Sequence, residues 1–221
     1  AQTLATIAGG AAVTDISQVR ADADVYILSV KDDALPVLIP QLCRGREDKL
    51  FLHTAGSVSI DVFQGMARHY GVFYPMQTVS RQKRVSFEEI PCFIEGSGEE
   101  EEAAIESLAA QLSHRVYRLS SEARKYLHLS AVFACNFVNH CYAISAELLE
   151  KHGIPFDVML PLIDETAAKV HHMSPKDAQT GPAVRYDENV IRAQSQLLKN
   201  NPLVKDIYDR MSMNIHRLSE E

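Results

Sequence analysis

VYILSVKDDALPVLIPQLC, Val25 to Cys43, is the stretch on which the fold class turns. Val25 to Ser29 is a short run of apolar, mostly β-favouring residues. The Asp32-Asp33 pair then caps a helical pattern from Ala34 to Cys43. A strand that feeds directly into a helix belongs to a layered α/β architecture.

The same grammar recurs downstream. Lys49 to His53 is a second strand-like run, followed by a helical pattern over Ser59 to Met66. His69 to Tyr74, Cys92 to Glu95 and Val116 to Leu119 read as three further strands, with a helix from Glu99 to Leu112 before the last. Alternating strands and helices predict a mostly parallel sheet covered on both faces. After Ser120 the strand signals stop. One long helix fits Ser121 to about Lys151, closed by Gly153, and a second runs from Pro155 to about Met173. Gly181-Pro182 breaks the chain, Asp187 caps a third helix to Lys199, and Asn201-Pro202 opens a fourth that ends near Leu218. The expected division is an α/β domain over 1–119 and an all-helical domain over 120–221.

Composition sets the outer limits. The chain has 221 residues, 46% hydrophobic and 23% charged, a globular balance able to bury a sizeable core. A net charge of -7 disfavours a nucleic-acid partner, which selects for a basic surface. No apolar run approaches the roughly 20 residues that span a bilayer, and no secretory leader pattern is visible. Cys43, Cys92, Cys135 and Cys141 form no C-x-x-C pair and sit in apolar segments, which predicts buried free thiols and suits a reducing cytoplasm. The adjacent His171 and His172 cannot share a helical face, so no metal site is expected.

KYLHLSAVFACNFVNH, Lys125 to His140, holds the candidate chemistry. At about 100° per residue, Lys125, His128, Asn136, Asn139 and His140 share roughly one third of the helix circumference. Tyr126, Phe133, Phe137 and Val138 occupy much of the remainder, predicting a helix buried on more than one side. The polar arc is either a solvent face or the wall of a site. His128 is the candidate proton donor or acceptor, Asn136 orients a substrate through its amide, and Lys125 stabilises a developing oxyanion. His140 reads as a packed or interfacial histidine.

Ligands of open α/β sheets bind beyond the carboxyl ends of the strands. Ser29-Val30-Lys31, His53-Thr54-Ala55-Gly56 and Tyr74-Pro75-Met76-Gln77-Thr78 follow three of the strands and bring small, hydroxyl and amide groups to that edge. The basic cluster Arg81, Lys83 and Arg84 lies in the loop after the third strand. Arg185, after Gly181-Pro182, offers a planar fork for an anion or an ion pair with Asp187 or Glu188.

In combination, Ser29-Val30-Lys31-Asp32, His53 to Ser57, Phe73 to Thr78, the His128 to Asn136 helix and Thr180 to Arg185 resemble a family of NADP oxidoreductases (DUF2520). Its members join a Rossmann-like domain to a helical domain of the 6-phosphogluconate dehydrogenase type. The resemblance implies NADP as cofactor, with NAD as the alternative, and a homodimer formed through the helical domain; the substrate expected from the residues themselves is small and anionic. It places Ser29, Val30 and Lys31 along the cofactor and His53, Thr54, Ala55 and Gly56 in the same crevice; Tyr74, Gln77 and Arg185, read from their strand-end and turn positions, are the candidate substrate contacts. Lys125, His128 and Asn136 are the nearest matches to the catalytic lysine and asparagine of related dehydrogenases, whose spacing is not reproduced.

The glycine fingerprint G-x-G-x-x-G is not found. Gly9-Gly10 follows what reads as the tail of a helix and precedes a strand-like stretch, so the first βαβ unit is expected upstream of Ala1. The competing class is a non-catalytic dimeric binding module with a degenerate nucleotide site.

Overall fold

A computed structural model describes residues 2–78 and 85–220. The chain forms two compact units, Ala1–Asn136 and Phe137–Glu221. The basic cluster Arg81, Lys83 and Arg84 lies outside the described residues.

The first unit is built on five strands in the order β1-β2-β3-β4-β5: Val25–Leu28, Leu50–His53, His69–Pro75, Cys92–Gly96 and Val116–Arg118. The pairs β1/β2, β2/β3 and β4/β5 are parallel, whereas β3/β4 is antiparallel. The mostly parallel Rossmann-like sheet thus has the expected five strands. The stretch after Gly10 forms no strand and carries only a 3-10 turn, Ile16–Gln18. Gln2–Ala8 is helical (α1), as read.

Strand period fixes what each face carries. Tyr26, Leu28, Phe51, His53, Val72, Tyr74, Phe93, Glu95 and Tyr117 alternate onto one face through the pairings of neighbouring strands. There α2 (Leu35–Cys43) contributes Leu35 and Ile39, and the 3-10 turn Ile60–Phe63 contributes Phe63, to a core with Tyr26 and Phe51. On the other face Leu52, Phe73, Cys92 and Ile94 pack against Ile105 and Ala109 of α3 (Glu99–Ala110). Full burial of side chains of this size is worth about 1.5–3 kcal/mol each.

The expected boundary after 119 falls inside the first unit, because α4 (Ser121–Ala131) is bolted to the sheet. Arg124 is 0% exposed. Its guanidinium donates to Glu95 Oε2 at 2.5 Å and to the Val58 carbonyl at 2.6 Å. Ser121 donates to Glu95 through its backbone N–H, at 2.8 Å, and its hydroxyl, at 2.6 Å, and accepts the Ile60 N–H at 2.9 Å. The chain then passes through a π turn, Val132–Phe137.

The second unit is helical, as expected: α5 (Val138–Glu150), a 3-10 turn (Phe156–Met159), α6 (Leu160–Lys169), α7 (Pro175–Ala178), α8 (Glu188–Leu197) and α9 (Pro202–Glu220). Gly153 takes φ 69°, the left-handed conformation suited to the end of α5. Asp187 caps α8 by accepting the Val190 N–H.

Two burial expectations fail. Cys43 and Cys92 are buried, but Cys135 is exposed. Tyr126 is 69% and Phe133 61% exposed, so the apolar side of the Lys125–His140 stretch is not a core surface within the chain. Their sequence pattern records apolar character but not what covers it.

Breaking a buried ion pair strands the remaining charge. Arg124→Met is expected to lower the unfolding free energy by about 3–5 kcal/mol, and adding Glu95→Leu to recover a large part of that loss. Urea denaturation of both variants checks this; additive losses contradict it.

Candidate active site

Tyr74 is half-buried one residue before the end of β3, and His128 sits one turn beyond Arg124 on α4. The Tyr74 hydroxyl and His128 Nδ1 lie 3.0 Å apart, with the rings edge to face at 6.0 Å. Tyr74 packs in turn beside Phe93, and Phe93 stacks on Tyr117 at 5.5 Å. An aromatic row across β3, β4 and β5 therefore backs the pair.

Gly56 makes that approach feasible. A Cβ built there would stand 2.5 Å from His128 Nδ1 and 2.9 Å from Tyr74 Cζ. The turn that delivers Gly56 is held by His53, whose Nδ1 accepts the Ala55 N–H at 3.1 Å. His53 is fully buried and stacks on Phe63 at 5.8 Å. Burial, reinforced by the nearby Arg124 charge, pushes its pKa down to about 4. The Ser59 backbone opposes that shift without closing a hydrogen bond to Nε2, which has no partner among the described residues.

Tyr74, Gln77, His128 and Asn136 line one cavity of about 600 Å³, within the usual range for small-molecule sites. On an unbroken α-helix His128 and Asn136 would stand about 80° apart. The i→i+5 closure of Val132–Phe137 turns the chain less per residue and brings Asn136 back towards the His128 side.

Several predicted residues stand elsewhere. Lys125 is exposed and outside the cavity wall, because it neighbours the inward-pointing Arg124. Arg185 belongs to the second unit, where it is exposed and without an ion pair to Asp187 or Glu188 among the described residues. Asn139 and His140 are exposed and also belong to that unit, so the histidine is not packed within the chain.

At the strand ends, Ser29, Val30 and Lys31 are exposed after β1, and Thr54 is half-buried after β2. His53 is fully buried and Ala55 packs in the core on that face, so the His53 side chain offers no surface to a ligand. Their neighbour Ser57 donates a hydrogen bond to Asp32.

The clamp formed by Arg124, Glu95 and Ser121 escaped the sequence reading. Its one signal was a glutamate at an alternating position of an otherwise apolar strand, next to a helix bearing an arginine.

Comparison with known families adds the following. A family model for a domain of unknown function, DUF2520, matches residues 90–215. A candidate NADP oxidoreductase from Bacteroides fragilis is 52% identical, covering 98% of this chain and 84% of its own, with a TM-score of 0.92. A Thermotoga maritima protein shares 21% identity over 100% of this chain and 88% of its own, TM-score 0.82. An imine reductase from Myxococcus stipitatus, solved in complex with NADP+, shares 14% identity over 99% of this chain and 82% of its own, TM-score 0.67. The latter two likenesses speak to fold alone. No functionally curated protein matches the chain.

Because folded His53 resists protonation while the unfolded chain does not, it binds fewer protons than the unfolded state between the two pKa values. Its contribution to stability is complete above about pH 6.5 and declines as pH falls towards about 4. Urea midpoints at pH 7.5 and pH 5 should differ less in His53→Asn than in the parent protein; an unchanged difference would place the acid sensitivity elsewhere.

Proposed function

This chain belongs to the DUF2520 family, and from that premise we propose that it is an NADP-dependent oxidoreductase acting on a small carbonyl or imine compound in the Tyr74–His128 cavity. The observation that carries this reading is the direct Tyr74–His128 contact in a cavity that also receives Gln77 and Asn136. Titratable and amide groups converge there on space for one small molecule.

The residues present fit a nicotinamide cofactor at the strand ends. Exposed Ser29, Val30 and Lys31 with half-buried Thr54 offer backbone and polar groups to hold it, whereas buried Gly56 faces the Tyr74–His128 pair. When bound, NADP supplies or accepts the hydride at the reacting carbon; NAD is the alternative cofactor. His128 gives the balancing proton to the carbonyl oxygen or imine nitrogen, and withdraws it in the reverse direction. Asn136 and Gln77 orient the polar group through their amides. The substrate in this reading is small and anionic, although among the described residues neither Lys125 nor Arg185 lines this cavity.

We further infer a homodimer through the helical unit. That unit leaves Leu162, Leu197, Leu203 and Met213 well exposed, with Leu203 at 79%, which is the kind of apolar surface that a second copy covers. Among the described residues no helix is long and apolar enough to cross a membrane. A reducing cytoplasm suits the buried free thiols of Cys43 and Cys92.

The test uses the full-length protein, calorimetric NADPH binding, and NADPH oxidation with a panel of small ketones and cyclic imines. His128→Ala should retain cofactor affinity while turnover falls by about 10²–10⁴-fold. Absence of binding by both NADPH and NADH would overturn the proposal.

A further inference from the structure

We infer that Tyr74 is a positioning residue for His128: seated against Gly56, it donates its hydroxyl proton to Nδ1 and leaves Nε2–H as the group presented to the cavity. This assignment deepens the proposed function and rests on it only for its catalytic meaning.

Three independent constraints carry it. The first is steric. The missing Cβ at Gly56 is the space occupied by His128 Nδ1 and the Tyr74 ring, so the backbone itself seats the pair. The buried His53 holds that backbone through the Ala55 N–H, giving a role to a residue that cannot touch a ligand.

The second constraint is the chemistry of the pair. Of the two ring nitrogens, Nδ1 is engaged at 3.0 Å, whereas Nε2 has no hydrogen-bond partner among the described residues and is not sealed from solvent. Burial raises the Tyr74 pKa, which keeps the phenol protonated and therefore able to donate. A neutral imidazole that accepts at Nδ1 carries its proton on Nε2.

The third is rigidity. The aromatic row Tyr74, Phe93 and Tyr117 backs the hydroxyl, and the Arg124 clamp one turn away holds α4. Neither partner has to be ordered when substrate arrives, which is the condition for precise proton delivery.

Long-range nitrogen–proton spectra of full-length protein with labelled histidine, recorded at about pH 8 where histidine is neutral, test the tautomer directly. A His128→Gln sample assigns the resonances. The inference expects Nδ1 in the unprotonated range and Nε2 in the N–H range. Tyr74→Phe should shift Nδ1 towards the value of a free imine-type nitrogen, and Gly56→Ala should do the same with the phenol still present. A protonated Nδ1, or an Nδ1 unmoved by Tyr74→Phe, overturns it. This readout needs no turnover. If the oxidoreductase reading fails, NADPH oxidation is absent in every sample while the Tyr74→Phe shift persists; if only the positioning role fails, His128→Ala abolishes turnover and the shift is missing.

Discussion

The candidate site depends on one buried ion pair. Arg124 reaches into the sheet face to meet Glu95 on β4 and the Val58 carbonyl, while Ser121 binds the same carboxylate and takes the Ile60 N–H. Burying these charges costs several kcal/mol per ion, and only this density of hydrogen bonds offsets it. The arrangement is directional where apolar packing is not. It fixes α4 in rotation as well as in distance, and the rotation is what points His128 at Tyr74. Arg124 Nε remains without a partner among the described residues, so the offset is incomplete and the clamp contributes more to placement than to stability.

Around that clamp, sheet alternation does the rest. Glu95, Phe93, Tyr74 and His53 share one face because successive strand residues point to opposite sides. The sheet therefore places the anchor for α4, the support for Tyr74 and the residue that holds the Gly56 turn on the same surface. The two layers meet where a glycine permits contact between ring and ring.

Much of the fold was legible because its signals are periodic. Short β-rich runs identified all five strands, and Gly153, Asp187 and Pro202 marked helix ends with local chemistry. The antiparallel β3/β4 pairing was not legible, since strand patterns carry no direction, and the long span between Pro75 and Cys92 hid it. The strand signals end at Ser120, whereas the tertiary clamp carries the first compact unit on to Asn136. Helix phase singled out His128 and Asn136 and the strand ends singled out Tyr74 and Gln77, and these four line one cavity. Phase also proposed Lys125, but it could not register that the adjacent Arg124 takes the inward direction. His53 was recognised by position and misread in role: a histidine at a strand's carboxyl end looks like a ligand, yet here its side chain faces the core.

The central claim is that the buried clamp sets the Tyr74–His128 contact, and a double-mutant cycle measures it. The coupling energy between Tyr74→Phe and His128→Ala, from urea unfolding, should be about 0.5–1.5 kcal/mol in the parent protein. In a Glu95→Gln background, where the clamp is weakened, the account predicts that this coupling collapses towards zero. An undiminished coupling in that background would show that the contact is held by something other than the Arg124 clamp.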